Sequence, residues 1–200
     1  VAEILSALDG HVKAGRHGAN VDEPGVVLSE GRGLVTVQLT AWPDTASAVA
    51  VKAGQVAQTA MPPSMRIGIS GQTTVLQVGP ERWWFVVPAS SDLRQRLEAA
   101  FSAEEAVVTD LSHARTIVRI TGPKARDLLA RVVPIDLHPA VFPRDSIAQT
   151  IMHGVGVLLH FSGSASDGDI FDLHIPGTFA LSHWEWLVHQ AEGLGLEIRA

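Results

Sequence analysis

Between positions 34 and 40, apolar Val35, Val37 and Leu39 alternate with Thr36, Gln38 and Thr40, the two-residue period of a half-buried strand. Pro43 and Asp44 stop it, and the spacing then lengthens. Ala46, Val49, Ala50, Ala53 and Ala57 fall on one helical face that Asp44 is placed to cap, and their small side chains suit close packing on a sheet. Residues 74–78 and 83–87 read as a hairpin joined through Gly79 and Pro80. A second helix follows, capped by Ser90 or Ser91, with Asp92 in its first turn and Leu93, Leu97, Ala100 and Phe101 turned inward. A strand over 105–110 closes the unit, giving the order β-α-β-β-α-β.

The order recurs. Residues 116–121 form a strand, and Gly122-Pro123 opens a helix burying Ala125, Leu128, Leu129 and Val132. Strands over 147–152 and 155–161 flank His153-Gly154, another covers 170–175, a helix after Thr178 buries Trp184, Leu187, Val188 and Ala191, and 196–198 is a last strand. The wording repeats too: Val-Thr-Val-Gln-Leu-Thr at 35–40 parallels Thr-Ile-Val-Arg-Ile-Thr at 116–121, and Phe-Val-Val-Pro at 85–88 parallels Leu-His-Ile-Pro at 173–176. The expected fold class is therefore α+β, two ferredoxin-like units packed as a pseudo-duplicate, with chance similarity of two α+β stretches as the alternative. Residues 34–110 form the first unit and 111–200 the second. Residues 1–33, with six glycines between 10 and 33 and no sustained period, are read as an extended arm that orders only on a partner.

Trp83 and Trp84 are consecutive on one strand and so face opposite sides of its sheet. Only one can face the unit's own helices. The other needs cover from the second unit or a partner chain, or stays exposed. Composition sharpens this: charged residues are 18% where about 25% is usual, beside 46% apolar residues and 18 glycines. Either an apolar face awaits a partner, or the chain is a compact monomer with a Ser, Thr and Gly surface. The net charge of -6, with Lys and Arg scattered, argues against nucleic acid. No 18-residue apolar run suggests a membrane span, and the expected location is the cytoplasm. Without cysteine, disulfides, thiolate zinc and iron-sulfur ligation are excluded.

Reactive constellations are sparse. The nine histidines include no helical i, i+4 pair with a Glu, although His160 and His174 lie on adjacent predicted strands and could meet. Gly154-Val155-Gly156 lacks the rest of a dinucleotide loop, and Gly68-Ile69-Ser70-Gly71-Gln72 lacks the closing glycine of a nucleophile elbow, leaving Ser70 a loop serine. The polar run 163–169 lacks the downstream Glu of a calcium loop and fits a hairpin tip. Asp110, Ser112 and His113 are too close in sequence to form a relay and read as turn and capping groups. No catalytic, cofactor-binding or metal-binding residue is assigned.

Asp110-Leu111-Ser112-His113, with 118–123, Leu128-Leu129 and Asp136-Leu137, resembles the opening motif of the glycine-cleavage T-protein superfamily. Within it, Asp136-Leu137-His138-Pro139, Ala148-Gln149-Thr150, 155–159 and Ser182-His183-Trp184-Glu185-Trp186-Leu187 resemble the gamma subunits of heterotetrameric sarcosine oxidases. That resemblance implies a T-protein-like folate-binding fold in a non-catalytic subunit, with alpha, beta and delta subunits as partners. It implies an assembly that oxidises sarcosine to glycine, forms H2O2, and passes the one-carbon unit to tetrahydrofolate or releases formaldehyde. FAD, FMN, NAD, the folate site and zinc would belong to the other subunits. The chain departs from active T-proteins at 154–159, which is apolar where glycines and acidic residues of the folate site should stand. The alternative implied by the same motif is a stand-alone folate-binding aminomethyltransferase.

Overall fold

The computed structural model describes residues 6–19, 22–166 and 168–200. In chain order its strands and helices are β1 (Gly15–His17), β2 (Val26–Glu30), β3 (Leu34–Ala41), α1 (Ala46–Ala57), β4 (Ile67–Ser70), β5 (Thr73–Gly79), β6 (Arg82–Pro88), α2 (Leu93–Ala100) and β7 (Ala106–Asp110). There follow β8 (Arg115–Gly122), α3 (Ala125–Val132), β9 (Ile147–Met152), β10 (Val155–Ala165), β11 (Gly168–Pro176), α4 (Ala180–Ala191) and β12 (Leu196–Arg199). The chain divides into two compact units: Gly33–Ser112, and His113–Ala200 together with the residues up to Arg32. Among the described residues, no helix is long and apolar enough to cross a membrane.

The Gly33–Ser112 unit carries a five-stranded sheet in the order β4-β5-β6-β3-β7, antiparallel throughout. One face of it packs Val37, Leu39, Val75, Trp83 and Phe85 against Val49 and Ala53 of α1 and Leu93 and Leu97 of α2. Trp83 belongs to this core. Trp84 lies outside it, only 6% exposed, with its indole N–H donating to Oε1 of Gln38, its cross-strand neighbour, at 2.9 Å. Strand β4 departs from expectation, since Ser70 ends a strand rather than sitting in a loop. The caps also differ. Thr45, not Asp44, precedes α1, and its hydroxyl bonds Trp42 O and Glu105 O instead of capping. Asp92 precedes α2, while Ser91 Oγ accepts from Leu93 N at 3.2 Å.

In the other unit the sheet has seven strands in the order β1-β12-β2-β8-β11-β10-β9, all antiparallel except the parallel β12–β2 pair. Val118, Ile120, Leu159, Phe171 and Leu173 pack under Leu128 and Leu129 of α3 and Trp184 and Leu187 of α4. Here the reading of residues 1–33 as an extended arm is corrected. Strand β2 lies between β12 and β8, and Val26 and Leu28 are fully buried in the core with Leu8. Glycine density suggested flexibility, but these glycines allow close approach. A Cβ on Gly18 would lie 2.3 Å from Glu192 O, and one on Gly25 2.3 Å from Leu194 O.

Candidate functional site

Along β10 and β11, Leu159, Phe161, Phe171, Leu173 and Ile175 join the helix-covered core. Alternation turns His160, Asp172 and His174 to the opposite face of the sheet. The register sets Asp172 opposite Arg119 of β8 on one side and His160 of β10 on the other. With Arg119 half-exposed at one end, the buried Asp172, His160 and His174 form a polar row. Arg119 donates through Nε and Nη2 to the two Asp172 oxygens, both at 2.8 Å, a bidentate pair. Nε2 of His160 lies 3.2 Å from Asp172 Oδ2, and its Nδ1 lies 3.2 Å from His174 Nε2.

Each group's environment follows from that chain. Burial alone would raise the Asp172 carboxyl, but the hydrogen bonds from Arg119 and His160 outweigh it and hold it well below the usual carboxylate range. The bond to Asp172 in turn raises the Arg119 guanidinium. Complete burial, with His160 alongside, pushes the His174 imidazole down to about 3. One proton arrangement suits the contacts. Asp172 draws the His160 proton to Nε2, which leaves Nδ1 to accept from Nε2–H of His174. The contacts thus run in series from Arg119 through Asp172 and His160 to His174.

His160 and His174 therefore meet, as their strand positions suggested, but the pair is built around Arg119 and Asp172. Sequence reading passed over both, although each is a charge set between apolar neighbours, Val118 and Ile120 in one strand and Phe171 and Leu173 in the other. Among the described residues no group of three or more His, Cys, Asp or Glu converges to hold a metal ion. Asp110 uses one oxygen for the Ser112 backbone N–H at 2.9 Å and hydroxyl, and the other for Arg94 Nη1 at 3.0 Å, which are turn and helix-anchoring bonds. Ser70 Oγ contacts Gln58 O at 3.4 Å. Gly154 has φ +80 in the β9–β10 turn, and Asp169 near the β10–β11 tip is taken by Arg126, whose guanidinium lies 4.6 Å over the Phe161 ring.

His183 has a structural role that its spacing in α4 did not disclose. Nδ1 lies 2.9 Å from Phe179 O and Nε2 3.0 Å from Met152 O, so this 1% exposed ring ties the start of α4 to the end of β9. His153 and Trp186 pack beside it with their rings tilted by 43°, their centroids 5.0 Å apart.

A family model described as the sarcosine oxidase gamma subunit family matches residues 40–193, most of the chain. The chain belongs to that family. Among its relatives, the sarcosine oxidase gamma subunit of an Arthrobacter species is 34% identical over 99 residues, covering 50% of this chain and 49% of the relative. That of Corynebacterium sp. strain P-1 is 34% identical over 94 residues, 47% of this chain and 46% of the relative. Those alignments thus span about half the length of the gamma subunits. Among solved structures, a chain of heterotetrameric sarcosine oxidase from Corynebacterium sp. U-96, in complex with pyrrole 2-carboxylate, superposes with a TM-score of 0.77 at 24% identity, covering 89% of this chain and 88% of that one. Aminomethyltransferase T of the glycine cleavage system from Bartonella henselae superposes at 0.63 and 14% identity, over 88% of this chain and 48% of the other. At these identities the two superpositions establish a shared fold for this gamma-family chain.

Proposed function

We propose that this chain is the non-catalytic gamma subunit of a cytoplasmic heterotetrameric sarcosine oxidase, built as two duplicated ferredoxin-like units that buttress flavin- and folate-bearing alpha and beta subunits beside a delta subunit. The assembly demethylates sarcosine oxidatively to glycine, forming H2O2, and the one-carbon unit passes to tetrahydrofolate or leaves as formaldehyde. FAD, FMN, NAD, tetrahydrofolate and zinc are held by the other subunits. Membership of the gamma family over residues 40–193 carries this reading. The polar row supports it, because Arg119, Asp172, His160 and His174 are engaged with one another. Recurrence of strand, helix, three strands, helix and strand from β3 to β7 and from β8 to β12 supports the duplication.

Co-expression with the neighbouring genes of its operon tests the proposal. Purification through a tag on this chain is expected to bring down flavin-bearing chains in fixed stoichiometry. A stable monomer that ignores those chains overturns it. The fold shared with aminomethyltransferase T supports a second reading, a stand-alone folate-binding aminomethyltransferase. Calorimetry of the isolated chain with millimolar tetrahydrofolate separates the two, since only the second reading expects heat.

A further inference from the structure

A cleft of about 250 Å³ opens between the N-terminal segment around β1 and α4. One wall presents Leu181, Trp184, Glu185 and Val188, which at i, i+3, i+4 and i+7 form a single helical stripe. The other presents Lys13 and His17, linked by a contact of 3.0 Å between His17 Nε2 and Lys13 O. Three features point to a ligand. Leu181 and Val188 give the cleft an apolar surface. Lys13 and Glu185 bring one positive and one negative side chain to it, yet neither forms an ion pair among the described residues. Trp184 lines the cleft, and its indole N–H makes no hydrogen bond among the described residues, which leaves it able to donate to a ligand.

From this lining we infer that the cleft is a binding site for a small zwitterion with an apolar body, the chemical class of the aliphatic α-amino acids. The ligand carboxylate pairs with Lys13 and accepts from the Trp184 indole, its ammonium pairs with Glu185, and its side chain lies on Leu181 and Val188. A volume below the roughly 300–1,000 Å³ of drug-sized pockets suits such a molecule. The site belongs wholly to the unit formed by His113–Ala200 and the residues up to Arg32, and the inference is independent of the subunit role proposed above.

The test uses the full chain, purified as expressed, with ¹⁵N-labelled tryptophan, the Trp184 indole resonance being assigned from the spectrum of Trp184→Phe. L-leucine is titrated beside 4-methylpentanoate, which lacks the ammonium, and isoamylamine, which lacks the carboxylate. Leucine is expected to move the Trp184 resonance saturably, and each analogue to bind at least about tenfold more weakly, as loss of a charged hydrogen bond requires. Glu185→Gln is expected to bring leucine down to the level of 4-methylpentanoate and leave that acid unchanged. Equal binding of all three compounds overturns the inference and leaves a merely apolar groove. So does the absence of a saturable shift with leucine at concentrations on the order of 10 mM.

Discussion

Two side chains of the polar row make the stability of this chain depend on pH in a defined direction. His174, pushed down to about 3 in the folded state, takes up a proton near its ordinary value of 6.5 once unfolded. Its contribution is therefore complete above pH 6.5 and is lost as the pH falls from there towards 3. Asp172, also depressed, adds a second loss below its ordinary 3.8. Urea midpoints should thus fall from pH 7.5 to pH 5, with a slope of up to about 1.4 kcal/mol per pH unit below 6.5. His174→Gln should flatten that slope, and equal midpoints at both pH values would refute the assignment. Asp172→Asn, which breaks the bidentate pair and leaves Arg119 half-exposed, should cost about 2–3 kcal/mol in the same measurement. The meeting of the two histidines was legible from adjacent strands. Their charged partners were not, because alternation marks which residues share a face but not which of them pair until register is fixed.

Elements with a clean period were readable: β3, β6, β8 and α3 follow directly from alternation or helical spacing. Strands β2 and β4 were not, and for different reasons. In β4, Ile67 and Ile69 give too short a signal between Pro63 and Gly71, and pairing with β5 makes the strand. In β2 the short run Val26-Val27-Leu28 is drowned by surrounding glycines, whose absent side chains let backbone approach backbone. That distinction is measurable. Gly25→Ala would set a Cβ 2.3 Å from Leu194 O and 2.7 Å from Lys124 Cδ, forcing a backbone shift. Overpacking of this kind costs about 2 kcal/mol, so thermal unfolding should come roughly 4–8 °C earlier. Gly156→Ala is the control, because a Cβ there meets nothing within 4 Å, and it should leave the midpoint within about 1 °C. Equal midpoints for the two variants would return the glycines to a flexible role.

At the scale of the whole molecule, the two units answer differently to loss of the N-terminal residues. Strand β2 joins β8 to β12, so removing residues 1–32 leaves β12 without its parallel partner and removes β1 beyond it. It also takes fully buried Leu8, Val26 and Leu28 from one apolar core, at an upper estimate of roughly 5–9 kcal/mol. That is comparable with the whole stability of a domain, about 5–15 kcal/mol. Among the described residues, the core of Gly33–Ser112 draws none from the deleted segment. Hydrogen exchange on the truncated chain should therefore show amides of β8, β11 and β12 losing their protection while those of β3, β5 and β6 keep it. An arm that ordered only on a partner would give the contrary result, with unchanged protection in both sheets of the isolated protein.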